Sequence, residues 1–266
     1  MRILAISDIH NNVACVRKLR AQESNKFDAI AVPGDIGTHR AAEIFAVLAT
    51  FQCPIMYIHG NWDRMPAAAD FGSETHLVHL RVVTVGRLSF TGYSFEAGRE
   101  GGRAGGRGEY TRRCRAGVIM AIREAGVEPG RCVLMAHDRA TRLDREFPGL
   151  LLHLYGHVHT FDVSQRGGTT YANVSALDRL LPVRRKPRGR RLSYVNAGNY
   201  AVIEVRDNGA VAVECRLLAR NYGGWIVVPR PPAKRLPGGE LIPEDRIFGD
   251  NIRFPQGRAM RSGRRP

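Results

Sequence analysis

Short apolar runs alternate with amphipathic segments through the first 60 residues of the chain. Apolar positions recur at helical spacing in two segments, over residues 11–23 and 40–51. Apolar runs predict three strands, over residues 2–7, 28–32 and 54–58. A β-α-β-α-β order of this kind predicts a parallel sheet, because parallel strands are joined by right-handed crossovers of helical length.

The pattern changes after these elements. Residues 75–93 contain short alternating runs that predict antiparallel strands, and helical spacing returns over 111–125. Residues 201–215 predict a hairpin with its turn at Asp207-Asn208-Gly209. Three further strands are predicted over residues 132–136, 150–155 and 169–174. The whole pattern therefore indicates an α/β protein.

The composition is that of an ordinary globular protein. The 266 residues are 44% hydrophobic and 24% charged, and their number fits one large α/β domain better than two. The longest apolar runs span only a few residues, and Asp8 interrupts the first of them before a signal-peptide core can form. We therefore expect a cytoplasmic protein without a membrane segment. The five cysteines form no Cys-x-x-Cys pair, so neither a disulfide framework nor a zinc knuckle is indicated.

The formal net charge of +15 is concentrated in three segments, residues 99–115, 184–191 and 216–266. Residues 98–108 contain six glycines and predict a mobile loop, and the arginine-rich residues 184–191 predict a basic loop. The excess charge favours either contact with nucleic acid through these loops or simple solubility. The sequence leaves both interpretations open.

Regular periodicity ends near residue 218. The residues beyond it are rich in proline, glycine and arginine and show no sustained helical or strand pattern. We therefore predict one domain over residues 1–218, which includes both basic loops, and a basic C-terminal extension over residues 219–266.

Side chains of the kinds that bind metals follow five of the predicted strands. In an open α/β sheet such strand ends lie at one edge, where ligands bind. Carboxylate, amide and imidazole groups without a thiolate suit Mn, Fe, Zn, Ni or Co. Seven side chains are too many for one ion that must also hold water, whereas two ions that share a bridging carboxylate fit. The seven candidates are Asp8, His10, Asp35, Asn61, His137, His157 and His159.

These residues belong to five motifs in a fixed order: Asp8-Ile9-His10, Gly34-Asp35, Gly60-Asn61-Trp62-Asp63, His137 and Gly156-His157-Val158-His159. In this order they resemble the calcineurin-like metallophosphoesterases, and especially their small prokaryotic phosphodiesterase-like members, over residues 1–175. The resemblance implies an α/β/β/α sandwich of two mixed sheets. It also implies that Asp35 bridges two ions. The first ion would be held by Asp8, His10, Asp35 and His159, and the second by Asp35, Asn61, His137 and His157.

Trp62 departs from the pattern of this family. Many members have a histidine here that contacts the phosphate and helps to protonate the leaving group, whereas an indole cannot shuttle a proton. The rate of hydrolysis should therefore be reduced most for substrates with poor leaving groups. Trp62 either stacks on a nucleobase or closes the site as a packed aromatic residue, and it is a candidate substrate contact together with Asn61.

Asp63, in the same motif, keeps two interpretations. It either orients water or His10 from behind the ligands, or it is a carboxylate at the start of a helix. The sequence identifies no catalytic acid.

Other polar residues near the motifs also keep two interpretations. Arg139 and Arg142 either reach a substrate phosphate or are solvated loop residues. The resemblance places Asn173, or with less support Asn196, in an Asn-containing segment near the sheet edge. The remaining histidines are interpreted as lying outside the site, with His59 the strongest exception: His39, His59, His76, His79 and His153.

The function expected from the sequence is that of a hydrolase that cleaves a phosphoester substrate with two divalent transition ions, manganese among them. A metal-bridging hydroxide would attack a phosphodiester in line. A phosphomonoesterase is the alternative enzyme. A nucleic-acid-binding or scaffold protein with the same fold and weak or no activity is the alternative of another class. The physiological substrate, the metal and the oligomeric state stay open.

Overall fold

Two mixed six-stranded sheets, a separate two-stranded sheet, four α-helices and a short 3₁₀ turn make up the described part of the chain in the computed structural model. The structure describes residues 1–64, 70–95, 106–140, 143–159, 161–178, 180–184, 191–195 and 198–218. The helices are α1 Val13–Gln22, α2 Ala41–Ala49, α3 Gly106–Glu124 and α4 Leu143–Glu146. The strands are β1 Arg2–Ala5, β2 Ala29–Pro33, β3 Ile55–Ile58, β4 Thr75–Leu77, β5 Val83–Val85, β6 Leu88–Tyr93, β7 Cys132–Ala136, β8 Leu152–Tyr155, β9 Asp162–Arg166, β10 Thr169–Asn173, β11 Leu180–Arg184, β12 Arg191–Val195, β13 Asn199–Val205 and β14 Val211–Leu217.

Both large sheets have a parallel centre with antiparallel strands added to it. The first sheet has the order β14-β13-β1-β2-β3-β4, in which β1 to β4 are parallel and the predicted hairpin β13-β14 pairs with β1. The second has the order β5-β6-β7-β8-β10-β9, with antiparallel strands β5 and β9 at its edges. The predicted α/β class with two mixed sheets is therefore confirmed.

Alternating side chains on the central strands separate the layers. On β1, Leu4 packs in one apolar cluster with Phe45 of α2, whereas Ala5 packs in another with Ala31 of β2 and Phe90 of β6. Successive side chains of a strand point to opposite faces, so each central strand is buried on both sides. A third cluster packs α3 on the outer face of the second sheet. The result is the expected α/β/β/α sandwich.

Several elements differ from the sequence-based expectations. The sequence pattern predicts neither β11 nor β12, and both ends of the predicted basic loop 184–191, at Arg184 and Arg191, belong to these paired strands. β4, which the pattern assigns to an antiparallel group, pairs in parallel with β3. α3 begins at Gly106, inside the segment 98–108 for which the sequence predicts a loop, and Glu109 in its first turn suits the positive end of the helix dipole. β9 has a polar sequence and lies at a sheet edge. It reaches β10 through a tight turn at Gly167-Gly168, where both φ angles are positive.

Large parts of the basic segments lie outside the described residues. These parts are residues 98–105 of the Gly/Arg-rich segment, 185–190 of the basic loop and the whole extension 219–266. The boundary near residue 218 therefore stays a prediction. Within the described ranges, no helix is long and apolar enough to span a membrane.

A buried histidine on β8 forms hydrogen bonds with β7 and with the chain that follows it. His153 Nε2 accepts a hydrogen bond of 2.9 Å from the Ala140 N–H, and its Nδ1 lies 3.2 Å from the Leu134 carbonyl oxygen. This pairing assigns the ring proton to Nδ1. Complete burial lowers the pKa of His153 to about 3, although the Leu134 carbonyl opposes the shift. The neutral ring is therefore part of the native fold.

Replacing His153 should reduce the dependence of stability on pH. The unfolded state protonates His153 near pH 6.5 and the native state only near pH 3, so its contribution is complete above pH 6.5 and is lost as the pH falls. We expect a loss of about 2 kcal/mol between pH 7 and pH 5 from this group. His153→Gln keeps a hydrogen-bond donor and an acceptor but has no titrating group. Its free energy of unfolding should therefore fall by correspondingly less between pH 7 and pH 5. Urea unfolding of both proteins at the two pH values measures this; equal losses would contradict it.

Candidate metal centre

Five loops, which follow β1, β2, β3, β7 and β8, meet at one edge of the two sheets. Backbone hydrogen bonds hold the first two loops together, because the N–H groups of Ile9 and His10 donate to the Asp35 carbonyl at 2.8 and 3.0 Å. The Gly156 N–H donates to the His137 carbonyl at 3.0 Å and joins the last two loops. The side chains on these loops are therefore positioned by the main chain before any ligand binds.

Most of the candidate side chains stand on left-handed backbone, with φ between +49° and +71°. This conformation is uncommon for residues other than glycine, although short polar side chains and histidine adopt it more readily than others. Its concentration at one sheet edge is typical of functional sites, where the surrounding structure holds residues in sparsely populated regions. The residues concerned are Asp8, His10, Asp35, His157 and His159.

One group of candidates surrounds Asp8. His159 Nε2 lies 2.8 Å from Asp8 Oδ1, and His10 Nε2 lies 3.3 Å from Asp35 Oδ2. One donor atom from each of these four residues lies within 4.8 Å of the others. This spacing allows the four to surround a single cation.

The other candidates adjoin the opposite side of Asp35. His137 Nε2 lies 3.1 Å from Asp35 Oδ2, the same oxygen that faces His10. His157 Nδ1 lies 2.9 Å from Asn61 Oδ1, and the rings of His137 and His157 are 5.1 Å apart. The structure therefore brings all seven predicted side chains together, with Asp35 between the two groups.

The charges at this site are strongly coupled. Burial disfavours ionisation of Asp8 and Asp35, but the neighbouring imidazoles outweigh it, and the pKa of each carboxyl group is lowered. Burial likewise disfavours the charged form of His10, yet contacts with Asp178 and Asp35 raise its pKa to about 10. The carboxylates are therefore ionised, and each buried negative charge needs a positive partner, either a protonated imidazole or a bound cation.

Two buried atoms indicate that a cation fits here. Asp8 Oδ1 and His137 Nε2 have no hydrogen-bond partner within the described residues, because their contacts with His159 and Asp35 lack hydrogen-bond geometry. Buried polar atoms without partners are rare and costly. Both atoms are good ligands for a transition ion, so the residues present fit a metal centre.

The sequence matches one protein-family model over most of its length. The model of the calcineurin-like phosphoesterase superfamily domain matches residues 1–186. The chain belongs to this superfamily. No curated protein matches the chain.

Solved structures with low sequence identity resemble this chain. The protein TT1561 of Thermus thermophilus is 17% identical, and the match covers 82% of this chain and 99% of that chain with a TM-score of 0.55. A novel archaeal phosphodiesterase is 14% identical over 81% of this chain and 100% of that chain, with a TM-score of 0.44. Vps29 of Chaetomium thermophilum is 14% identical over 81% and 97%, with a TM-score of 0.40. Of these three likenesses, only the first is strong enough to support the fold, and it supports the fold alone.

Two carboxylates without a recognisable motif of their own contact the candidate ligands of this superfamily member. Asp178 Oδ2 lies 3.4 Å from His10 Nδ1, and Asp178 Oδ1 accepts a hydrogen bond of 2.8 Å from Asn12. Asp138 Oδ1 lies 3.4 Å from His157 Nε2. A carboxylate at one ring nitrogen orients an imidazole whose other nitrogen faces a metal. The position of Asp138 directly after a post-strand histidine is a signal that could have identified it.

Asp63 is buried and joins two loops of the site. Its carboxylate accepts hydrogen bonds from the N–H groups of Gly37 and Gly60, both at 2.7 Å, and from that of Ile36 at 3.2 Å. These contacts connect the chain after β2 with the chain after β3. These hydrogen bonds of Asp63 are with backbone N–H groups and not with His10, and the choice between its two interpretations stays open.

Trp62 contributes its backbone to the site and exposes its ring. The Trp62 N–H donates a hydrogen bond of 2.8 Å to Asp35 Oδ1, so Oδ2 of the same carboxylate faces the imidazoles. The indole is 60% exposed, and its centre lies 5.0 Å from that of the His10 ring. A ring this exposed is open to a ligand that approaches the group around Asp8.

The downstream asparagine supports the loop after β8. Asn173 Nδ2 donates to the Gly156 carbonyl at 3.1 Å, and its Oδ1 accepts from the Ser175 N–H at 3.0 Å. Arg139 donates to Ser164 Oγ at 3.1 Å, which turns its guanidinium toward β9. The alternatives Asn196 and Arg142 lie outside the described residues.

Two glycines allow the backbone to approach the carboxylates. A Cβ atom on Gly60 would lie 2.1 Å from Asp35 Oδ1, and one on Gly156 would lie 2.4 Å from Asp8 Oδ2. Both distances are far shorter than any van der Waals contact. The glycines of the Gly-Asn and Gly-His motifs are therefore required by the space around the carboxylates.

Gly60→Ala should destabilise the protein by about 2–3 kcal/mol, because the methyl group must displace Asp35 or its loop. Gly130→Ala is the matched control, since no atom lies within 4 Å of the Cβ that it adds. Chemical denaturation of the two variants and of the wild type measures the difference. Equal stability of the two variants would show that the close approach at Gly60 is not structural.

Proposed function

We propose that the protein is a phosphodiesterase that works with two divalent transition ions, such as Mn, Fe, Zn, Ni or Co. The observation that carries this proposal is the position of Asp35 Oδ2, which lies 3.3 Å from His10 Nε2 and 3.1 Å from His137 Nε2. A single carboxylate oxygen between two groups of ligands is the arrangement that a bridging residue needs. The proposed ligands are Asp8, His10, Asp35 and His159 for the first ion and Asp35, Asn61, His137 and His157 for the second.

The ions, when bound, lower the pKa of water and offset the negative charge of a phosphoryl group. The chain itself supplies a fixed geometry. Asp8 and Asp35 place two negative charges where cations bind, and Asp178 and Asp138 orient the rings of His10 and His157. In the proposal, Asn61 and Trp62 contact the substrate from the loop after β3.

The residue at position 62 favours diesters with good leaving groups. The indole N–H can donate a hydrogen bond to a phosphate oxygen, but it is too weak an acid to transfer its proton to a departing alkoxide. Aryl diesters release a stable phenolate and need no such proton. The phosphomonoesterase alternative is less favoured for the same reason. No contact of the described residues favours the nucleic-acid alternative, because the basic segments fall largely outside them.

Asp35→Asn should lower kcat/KM for bis(p-nitrophenyl) phosphate by at least about 100-fold and reduce the bound metal, because the bridging charge is lost. The measurements are Mn²⁺-supported turnover and elemental analysis of the purified protein. Asp162→Asn, on the exposed edge strand β9, makes the same chemical change away from the site and should retain both properties. Turnover that survives in Asp35→Asn, or is absent from the wild type with every divalent transition ion, would refute the proposal.

Trp62→His should extend activity toward poor leaving groups. An imidazole at this exposed position can donate the proton that indole cannot, so we expect at least about a tenfold gain for alkyl and phenyl esters, which is below the roughly 100-fold or more that an optimally placed general acid contributes. The gain for p-nitrophenyl esters should be smaller. Rates for a series of leaving groups with increasing pKa measure this, with Trp62→Phe as the control that lacks a donor. A parallel change for all leaving groups would contradict the assigned role.

A further inference from the structure

A cavity of about 150 Å³ adjoins the candidate metal centre on the side of His137. Its walls come from three places in the fold: the end of β6 and the residues after it, the first turns of α3, and the chain that leaves β7. Sequence reasoning does not detect it, because these segments are distant in the chain. The residues that define its chemistry are Tyr93, Phe95, Tyr110, Thr111, Arg115 and Arg139.

Phe95 is the wall that the cavity shares with the metal centre. Its ring lies nearly parallel to that of His157, at 6.0 Å and 23°, and nearly perpendicular to that of His137, at 6.1 Å and 87°. His137 itself lines the cavity. A phosphate at the candidate ligands therefore has the mouth of this cavity beside it.

The cavity wall is held in place by hydrogen bonds. The Tyr110 hydroxyl donates to the Ser94 carbonyl at 3.1 Å, and the Ser94 N–H donates to His79 Nδ1 at 3.0 Å. The Phe95 N–H donates to the His59 carbonyl at 2.7 Å. A wall that is ordered in advance loses little conformational entropy when a ligand binds, so the cavity is preformed.

The lining selects for flat aromatic groups. Tyr93, Phe95 and Tyr110 supply rings, and Thr111 adds a polar side chain to the lining. Arg115 is paired with Glu146 at 2.7 Å, and Asp138 in the lining offsets the charge of Arg139, so the charges of the two arginines are balanced. The volume is below the roughly 300–1,000 Å³ of sites for drug-sized ligands. A single ring system fits it.

We propose that this cavity binds a planar aromatic substituent of the phosphoester while the phosphate lies at the metal centre. The proposal rests on the proposed function and names the substrate class: phosphoesters of aryl or nucleoside alcohols. A simple aryl ring and a nucleobase share the required chemistry. The two sources can be separated by experiment.

The test uses three phosphonates whose C–P bond the proposed reaction does not cleave, so that binding is read without turnover. They are methylphosphonate, benzylphosphonate and thymin-1-ylmethylphosphonate. Isothermal titration of the Mn²⁺-saturated protein should give at least about tenfold tighter binding for one or both ring-bearing probes, as expected for stacking of one ring. Tighter binding of the thymine probe than of the benzyl probe would identify a nucleobase, and the reverse order a simple aryl group.

Two cavity variants connect the preference to this site. Thr111→Phe fills the cavity from α3 and Tyr110→Ala removes one wall, so each should abolish the preference for rings. Met120→Phe, at an exposed position of the same helix, is the control and should keep it. Equal affinity of the wild type for all three probes, or a preference that persists in both cavity variants, would overturn the proposal. If the wild type binds the ring-bearing probes more tightly but does not hydrolyse bis(p-nitrophenyl) phosphate, only the proposed function would be overturned.

Discussion

The burial of two carboxylates side by side is the constraint on which this site depends. Asp8 and Asp35 are 0% and 1% exposed, and the charge of each opposes ionisation of the other. Buried charges are stable only when they are paired and hydrogen-bonded. Imidazoles on both sides of Asp35 and backbone N–H groups near both residues meet this requirement in part, while Asp8 Oδ1 is left without a hydrogen-bond partner among the described residues. The loops, the glycines and Asp63 are best understood as the means of holding that arrangement.

Most of the architecture can be predicted from apolar runs because parallel strands buried on both faces are almost continuously apolar. The strand over Cys132–Ala136 and the two β-α units at the start of the chain are of this kind. The same regularity explains why the metal-type side chains could be placed. Each follows a strand of recognisable character, and carboxyl ends of parallel strands share one edge.

Elements without such a pattern escape prediction for physical reasons. β4 is three residues long and only half-buried, so nothing in its sequence distinguishes parallel pairing with β3 from antiparallel pairing. Asp178 reaches His10 from beyond the end of β10, through a contact that depends on tertiary packing and follows no spacing rule. The cavity beside His137 has the same origin, since its walls meet only when α3 packs on the second sheet.

The candidate ligands come from loops of both sheets: Asp8, His10, Asp35 and Asn61 follow strands of the first sheet, and His137, His157 and His159 follow strands of the second. Small side chains such as Ala5 and Ala31 lie in the apolar layer between the sheets. The thickness of that layer therefore sets the distance across which the ligands face each other. A larger residue in this apolar layer would push the two sheets apart and increase the distances between the candidate ligands without touching any of them. The packing of the core therefore controls the geometry of the metal centre.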